Sequence, residues 1–389
     1  DAGTYRCRVS NICGVTYSSG AILTVELPVY EDGWFKQEQS RSEDVLQFSA
    51  INELNAWAVL QDQDRLIFTD NGGQTWQNKS TGNNRYWRSV EFLDENNGYV
   101  GGWYGISKTI DGGTSWNFYD LFAAAGSPSS AFYIEDIEFV TSSTGYAVGW
   151  DGLIVKTVNS GADWVIQNYD GNNFPDINAR IHAVQFINSN LGYAVGDNGL
   201  IIKTTDGGSN WAKQNTGTSD NFEDLFFFDS MEGYAVGGYR NLYYTEDGGT
   251  TWENVSSRIP FNTMYSTRSI HFVDGNNGYI AGSYYDYNDN ESYSAVAKTS
   301  DGGLTWYRQR FEPKTASTIF YDIVMLNADN GWTGGENGQV WRTSSGGCLN
   351  PTVNLYEDQS FCELASTTLV ADTFENNLNC SYSWSTGES

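Results

Sequence analysis

Histidine, proline and long hydrophobic runs are scarce in this chain, and each shortage excludes a class of protein. Only 2 histidines, His182 and His271, occur in 389 residues, which argues against a histidine-rich metal centre. No apolar run approaches the roughly 20 residues that a membrane-spanning helix needs. The 6 prolines are few, whereas the 42 glycines suit a protein with many tight hairpins.

Positive charge is also in short supply. Lys and Arg number 21 against 48 Asp and Glu, which gives a net charge of −27. Binding to nucleic acid gains its affinity from basic patches that release counterions from phosphates, so this balance argues against nucleic acid as a partner. An acidic surface instead suits high solubility and weak binding of divalent cations.

The 5 cysteines all lie near the ends of the chain, outside the repeats described below. They are Cys7, Cys13, Cys348, Cys362 and Cys380. None forms a CxxC pair, so a zinc site is not expected. Disulfides in flanking modules of a protein from an oxidising compartment are the preferred interpretation. The odd count predicts a partner cysteine outside this sequence.

A short segment resembling TTDGGSNW occurs six times. The copies, named boxes here, are TDNGGQTW (69–76), TIDGGTSW (109–116), TVNSGADW (157–164), TTDGGSNW (204–211), TEDGGTTW (245–252) and TSDGGLTW (299–306). A broken seventh copy, TSSGGCLN, covers 343–350. Upstream of each box lie an alternating run such as DIEF (136–139) and an apolar tag such as GYAVG (145–149). The period of about 45 residues is typical of four-stranded propeller blades.

Each box is predicted to be a fold-back turn with a structural role. Its third residue, Asp or Asn, accepts hydrogen bonds from its own turn, and the glycines supply positive φ. The closing Trp buries its indole against a neighbouring sheet. The predicted structural residues are Asn71, Asp111, Asn159, Asp206, Asp247, Asp301, Trp76, Trp116, Trp164, Trp211, Trp252 and Trp306.

The seventh unit lacks the Trp and a fourth strand, and the other end of the repeat region offers a replacement. DGWFKQEQ (32–39) resembles the strand that follows a box, but no blade precedes it. If Trp34–Gln39 pairs with the strand ending near Arg342, the last blade is built from both ends and no sheet edge stays open. We therefore predict an all-β fold with a seven-bladed β-propeller.

The boxes match the Asp-box (BNR) pattern S/T-x-D-x-G-x-T-W. Together with the G-Y/W-A-V-G tags, they resemble the photosystem II assembly factor family, the Ycf48/HCF136-like propellers. The resemblance covers about residues 30–347 and implies a non-enzymatic binding propeller. Its photosynthetic role is not carried over, because the ends of the chain indicate another context.

Both ends resemble parts of other modules. DAGTYRC (1–7) has the Tyr-x-Cys pattern of the late strands of an immunoglobulin-like domain, so residues 1–28 are predicted to be its C-terminal part. Residues 348–389 resemble the start of a PKD- or Ig-like module of secreted bacterial surface proteins. The propeller at 30–347 is thus expected in a secreted or cell-surface protein.

A ligand is expected on the face opposite the boxes, at one mouth of the channel. The residues that open the inner strands form a ring there: Asp44, Arg88, Glu135, His182, Glu223, Arg268 and Tyr321. The turns between second and third strands add Trp103, Tyr104, Trp150, Asp151, Tyr239, Arg240 and Glu336. Inter-blade salt bridges and packing under loops are the alternative interpretation. Exposed aromatics beside charges suit a glycan or a peptide.

The sequence offers little support for other chemistry. No GxSxG, P-loop or GxGxxG motif followed by a helix occurs. The insert YYDYNDNES (284–292) is expected to be a flexible loop, with calcium at Asp286, Asn288 and Asp289 as the alternative. SRIPF (257–261) resembles a sialidase tag, but it follows the fifth box and is interpreted as coincidence.

Three functions are compared on this basis. The preferred one is a non-enzymatic binding or adhesion propeller that recognises a protein or glycan, without a catalytic residue or cofactor. The alternative is an Asp-box glycoside hydrolase of sialidase or xyloglucanase type, with Glu135 and Glu223 facing each other across the channel. The third is an architectural spacer.

Overall fold

Residues Trp34–Gly347 form one compact unit in the computed structural model. The structure describes residues 33–121, 123, 133–168, 177–260, 263–309, 311 and 318–347, together with four short strands nearer the N-terminus. The predicted module at 348–389 lies outside the described residues. The part that is described contains seven four-stranded antiparallel sheets, so the predicted seven-bladed β-propeller is confirmed.

The blades follow one another along the chain, and each is laid out from the centre of the ring outwards. The innermost strands are Val45–Ala50, Trp87–Phe92, Ile134–Phe139, Ile181–Phe186, Asp224–Phe227, Ser266–Phe272 and Phe320–Met325. The second strands, which carry the tags, are Ala56–Leu60, Gly98–Gly102, Gly145–Gly149, Gly192–Gly196, Gly233–Gly237, Gly278–Asp286 and Asn330–Gly335.

The third and fourth strands complete the blades. The third strands are Leu66–Thr69, Gly105–Thr109, Ile154–Thr157, Leu200–Thr204, Asn241–Thr245, Glu291–Thr299 and Gln339–Gly347. The outer strands are Gln77–Lys79, Asn117–Asp120, Val165–Asn168, Ala212–Lys213, Glu253–Asn254, Tyr307–Arg308 and, for the seventh blade, Gly33–Lys36. One-turn 3-10 helices cover Trp150–Gly152, Ser256–Arg258 and Glu336–Gly338.

Four short strands precede the propeller. Gly3–Tyr5 pairs with Ala21–Leu23, and Arg8–Asn11 pairs with Gly14–Tyr17. These strands form two separate two-stranded antiparallel sheets. An immunoglobulin-like origin of residues 1–28 stays a prediction.

The boxes fold back as predicted, and the fourth box shows how. The Asn210 amide donates to Asp206 Oδ1 at 2.8 Å, and Thr204 Oγ1 accepts from the Gly208 amide at 2.9 Å. Gly207 and Gly208 have φ of 67° and 79°, in the region that favours glycine. Trp211 packs edge-on against Phe186 of its own blade, and it also belongs to the buried cluster that contains Tyr146 of the preceding blade, the predicted neighbouring sheet.

Neighbouring blades are joined by one repeated seam. The tag Tyr146 of blade 3 stacks on Phe186 of blade 4 with ring centroids 3.8 Å apart. Its hydroxyl donates to the Gly207 carbonyl at 2.8 Å, and Lys156 Nζ donates to the same oxygen at 2.6 Å. Tyr193 repeats the arrangement, with its ring 3.7 Å from that of Phe227. The seam thus links each box to the preceding blade.

The seventh blade closes as the sequence predicts. Its sheet has Gly33–Lys36 as the outermost strand, beside Gln339–Gly347. The Gln37 amide donates to the Val340 carbonyl at 2.8 Å, and Trp34 is 2% exposed in a cluster with Trp341. Gln37 also reaches blade 1, where its Oε1 accepts from Trp76 Nε1 at 3.1 Å. The broken box lacks the turn because its first residues continue the third strand.

Removing the closing indole is expected to open the ring. Trp34→Ala is predicted to lower the free energy of unfolding by about 3–5 kcal/mol, because a buried Trp leaves a cavity in the blade 7 core. Phe35→Ala is the matched control on the same strand, since Phe35 is 43% exposed and is expected to cost less than about 1 kcal/mol. Urea denaturation of both variants measures the difference. Equal losses would contradict closure through Trp34.

Candidate binding face at the channel mouth

The strand register separates the two faces of the ring. In blade 3, Ile134 pairs with Gly149 at one end and Phe139 with Gly145 at the other. The start of the inner strand therefore lies beside the turn between the second and third strands, while the box lies at the opposite end. The same register recurs around the ring and brings the predicted ring and turn residues to one face, named the mouth face here.

On blades 2 to 4 the centre of the mouth face is an arginine cluster around Glu135. Glu135 is 9% exposed, and its Oε2 accepts from Arg88 Nε at 2.8 Å and from Arg180 Nη2 at 2.9 Å. Its Oε1 accepts from Trp150 Nε1. Two guanidinium groups and an indole therefore satisfy both carboxylate oxygens, and charge-assisted bonds of this kind are among the strong ones.

Aromatic rings flank this cluster and continue to the surface, forming an aromatic arc of Tyr86, Trp103, Tyr133 and Trp150. Tyr133 stacks on Trp150 with centroids 5.0 Å apart, and Trp103 meets Tyr133 and Tyr86 edge-on at 5.9 and 5.2 Å. Trp103 and Trp150 are 37% and 41% exposed. The arc is therefore an ordered surface of large rings that remains open to solvent.

Arginines lie over several of these rings. The Arg180 guanidinium is 5.4 Å from the Trp150 ring and that of Arg88 is 5.7 Å from the Tyr133 ring. Arg85 lies 5.1 Å from the ring of Tyr104, which adopts a left-handed backbone with φ of 67°. Cation–π contacts order the guanidinium groups while they keep further N–H donors.

A second charged group lies on blades 4 to 6. Glu223 accepts from Arg268 Nη1 at 2.7 Å, and His182 Nδ1 lies 3.6 Å from its other oxygen. His182 Nε2 is 2.9 Å from Asp197 Oδ1. The inter-blade salt bridges of the alternative interpretation are thus present, and Arg268 pairs with Glu223 as Arg88 and Arg180 pair with Glu135.

The remaining residues of the predicted ring, Tyr321 and Asp44, form hydrogen bonds with the turn that carries Glu336 and Asn337. Tyr321 donates its hydroxyl to Glu336 Oε1 at 3.2 Å, and the Ile319 amide donates to Glu336 Oε2 at 3.1 Å. Asp44 accepts from the Asn337 amide at 3.0 Å. Asp151 and Arg240 occupy left-handed positions in their turns. Binding by the predicted mouth residues stays a prediction.

The acidic insert of blade 6 was expected to be a flexible loop, but it extends the strands Gly278–Asp286 and Glu291–Thr299 into a longer hairpin. Asp286 pairs with Glu291, and the Asn288 amide donates to Asp286 Oδ1 at 3.0 Å. Asp289 Oδ2 accepts from the Tyr293 hydroxyl at 3.0 Å. Among the described residues, no three His, Cys, Asp or Glu side chains are arranged to hold a metal ion.

Arg258 of the SRIPF segment has a structural contact. Its Nη1 donates to the Tyr234 hydroxyl at 3.1 Å, and its guanidinium lies 5.2 Å from the Tyr244 ring. Tyr244 occupies the place of the Lys that completes the seam in neighbouring blades. Arg258 therefore supplies a cation to the seam between blades 5 and 6.

Polar side chains at the centre of the ring were missed by the sequence analysis. On the inner strands, two positions per blade lie on the same face of the sheet as the tag Tyr or Trp, and most of them carry polar side chains. These positions are Gln47, Ser49, Ser89, Glu91, Asp136, Glu138, Ala183, Gln185, Asp224, Phe226, Ser269, His271, Asp322 and Val324. Gln47 Nε2 of blade 1 donates to Asp136 Oδ1 of blade 3 at 2.9 Å, so these groups meet across the centre.

Many of these side chains accept from an amide at the inner edge of the next blade. Glu138 accepts from the Phe186 amide at 2.7 Å, Asp224 from Ile270 at 2.8 Å and Asp322 from Phe48 at 2.7 Å. Inner strands have an unpaired edge towards the axis, and such amides need acceptors. The alternating polar residues of runs such as DIEF were the signal for this role.

Protein surrounds these half-buried carboxyls, and this changes their titration. Burial raises the pKa of Glu91 and of Asp224 to about 8 and that of Asp136 to about 6, despite backbone hydrogen bonds that lower each of them. Burial also raises the pKa of Glu138 and Asp322. For His271, burial lowers the pKa to about 4, so the ring is neutral at pH 7.

The comparisons with known proteins agree with this architecture. The family described as Photosynthesis system II assembly factor YCF48 matches residues 127–219 and 211–285. The solved structure "YCF48 bound to D1 peptide" superposes with a TM-score of 0.62 at 20% identity, covering 83% of this chain and 100% of the other. The fold is therefore similar to that of the solved YCF48 propeller.

Two further structures place that likeness in context. "YCF48 from Cyanidioschyzon merolae" gives a TM-score of 0.61 at 17% identity, covering 80% of this chain and 98% of the other. The WD40 propeller domain of Doa1 gives 0.57 at 12% identity, covering 80% and 97%. No curated protein sequence matches the chain. No helix in the described part is long and apolar enough to cross a membrane.

Because burial raises the pKa of carboxyls at the centre of the ring, we predict that the propeller loses stability as the pH rises above neutral. Glu91 and Asp224 keep a proton in the folded state up to about pH 8, whereas the unfolded chain loses it near pH 4. The stabilisation of the folded state by these two protonated carboxyls is therefore complete below about pH 4 and is lost as the pH rises through 8. His271 contributes little above pH 7, where its ring is neutral in both states.

Thermal denaturation between pH 7 and about 8.5 tests this linkage. The melting temperature is expected to fall across this range, and more gently in Asp224→Asn, whose amide oxygen still accepts from Ile270. Asp70→Asn, at an exposed position, is the control and should leave the slope unchanged. A wild-type melting temperature that stays constant or rises across this pH range would contradict the raised pKa values of Glu91 and Asp224.

Proposed function

We propose that this propeller is a non-enzymatic binding module that recognises a segment of a partner protein on the mouth face. The observation that carries the proposal is the arginine cluster around Glu135 with its exposed aromatic arc. Large rigid rings and arginines are the residue types that dominate protein-binding hot spots. The likeness to a propeller solved with a D1 peptide supports a peptide as the ligand class.

The geometry supports binding better than glycoside hydrolysis. A hydrolase needs one carboxyl that gives up a proton and another that attacks or activates water. Both oxygens of Glu135 already accept from Arg or Trp donors, and those of Glu223 face Arg268 and His182. These contacts orient the two carboxylates as supports for the cations that line the face.

Selection of peptides from a displayed library, followed by calorimetry, tests the proposal. Trp103→Ala is expected to weaken the selected peptide at least tenfold, because truncation of a hot-spot aromatic costs about 2 kcal/mol or more. Leu304→Ala is the matched control: Leu304 is 60% exposed but lies in a box on the opposite face. Glycan binding without peptide binding, or sialoside or β-glucan turnover lost in Glu135→Gln, would overturn the proposal.

We further propose that the propeller is carried by a secreted or cell-surface protein with Ig-like or PKD-like neighbours. The Tyr5-x-Cys7 pattern and the confinement of cysteines to the ends support this context. Intact mass measured after thiol alkylation, with and without prior reduction, is expected to show disulfides in protein isolated from its source. Fully alkylated cysteines without reduction would count against an oxidising compartment.

A further inference from the structure

A second aromatic surface lies on blades 5 and 6, separate from the arc around Trp150. It is formed by four tyrosines, named the tyrosine cluster here: Tyr239, Tyr265, Tyr285 and Tyr287. Tyr239, Tyr265 and Tyr287 are 74%, 39% and 64% exposed. Soluble proteins can expose single aromatic residues freely, but a contiguous group of rings marks an interaction surface.

The hairpin of blade 6 builds this surface. Its pairing continues from Ser283–Ser294 to Asp286–Glu291, four pairs beyond the level at which the blade 4 hairpin turns at Gly196 and Leu200. Four further pairs extend the strands by about 13 Å. Tyr284 and Tyr293, 6% and 8% exposed, anchor the hairpin in the core, with the Arg308 guanidinium 3.7 Å from the Tyr284 ring.

The four rings form two steeply angled pairs, and a contact tilted at 41° joins the pairs. Tyr239 and Tyr265 meet at 87° with centroids 5.4 Å apart, and Tyr285 and Tyr287 meet at 76° with centroids 4.9 Å apart. Tyr265 and Tyr285 connect the two pairs at 5.8 Å. The rings therefore present faces in different directions along one continuous surface, and an exposed ring face attracts a cation.

The acidic residues of the hairpin tip favour a cationic ligand for the tyrosine cluster. The hairpin tip carries Asp286, Asp289 and Glu291, which outnumber Arg240 in the turn next to Tyr239. The whole chain carries a net charge of −27. Ring faces are attractive to cations, and nearby carboxylates strengthen that attraction, whereas an anion would be repelled.

We propose that the tyrosine cluster is a subsite for a cationic side chain, Lys or Arg, of the partner protein. This rests on the proposed function, because it names the charge of one part of the segment bound on the mouth face. The arginine cluster around Glu135 then offers donors to acidic or carbonyl groups elsewhere in the same segment. The mouth face thus recognises a partner segment that places a basic residue at blades 5 and 6.

Calorimetry with two synthetic probes tests the subsite without the partner. Hexa-arginine is expected to bind, and hexa-citrulline, which keeps the shape but lacks the charge, is expected to bind at least tenfold more weakly. The double variant Tyr239→Ala/Tyr287→Ala should weaken hexa-arginine about tenfold, because each exposed cation–π contact contributes about two- to fivefold. Tyr239→Phe/Tyr287→Phe keeps the rings and should bind like the wild type.

Phe35→Ala, an exposed aromatic of the blade 7 outer strand, is the control for non-specific attraction to the acidic surface. Equal binding by the Ala double variant and the wild type, or equal binding of the citrulline probe, would overturn the subsite. These outcomes are distinguishable from failure of the proposed function, which depends on the selected peptide and Trp103. If the Ala double variant binds hexa-arginine like the wild type while the selected peptide still depends on Trp103, the tyrosine subsite is wrong and the proposed function stands.

Discussion

The stacking of a tag ring on the inner-strand Phe of the next blade is the interaction on which the ring depends. Tyr99, Tyr146 and Tyr193 each stack in this way, with centroids 3.7 to 4.1 Å from the facing ring. Each hydroxyl then reaches a box carbonyl of the following blade. A box is therefore held from two sides, by its own Trp and by the preceding tag, and this fixes the relative positions of adjacent blades.

The centre of the ring follows from the same constraint. Blades that pack face to face leave the inner edge of each first strand without a strand partner, and its amides require acceptors. Side chains of the preceding blade supply them, as Glu138 does for Phe186. Several acceptors are carboxyls brought together near the axis, so burial raises their pKa values, and repulsion between neighbouring carboxyls adds to the rise for Glu91, Asp136, Glu138 and Asp224. The polar centre is thus a consequence of closing the ring rather than evidence of catalysis.

Local features of the fold could be predicted from the sequence, and features that depend on neighbouring blades could not. The turn at Asp206 could be predicted because its residues are close together in sequence. The pairing of the Trp34 strand could be predicted because the seventh blade otherwise lacks one strand. Glu135 was placed in the ring at the mouth, but its second arginine, Arg180, comes from the next blade and was not among the predicted residues. Tyr133 was missed for a similar reason, because its stacking on Trp150 depends on the turn geometry.

The two aromatic surfaces of the mouth face differ in what surrounds them, and this difference limits the kind of ligand they fit. Around Trp150 the neighbours include a guanidinium group, whereas the tyrosine cluster includes Tyr287 of the hairpin tip, which also carries Asp286, Asp289 and Glu291. A neutral glycan would gain stacking at either surface but no benefit from the opposite charges. A polypeptide can present both charges on one chain, so the asymmetry favours a protein segment bound in one direction. That preference comes from an insert in one blade, which breaks the sevenfold repeat of the scaffold.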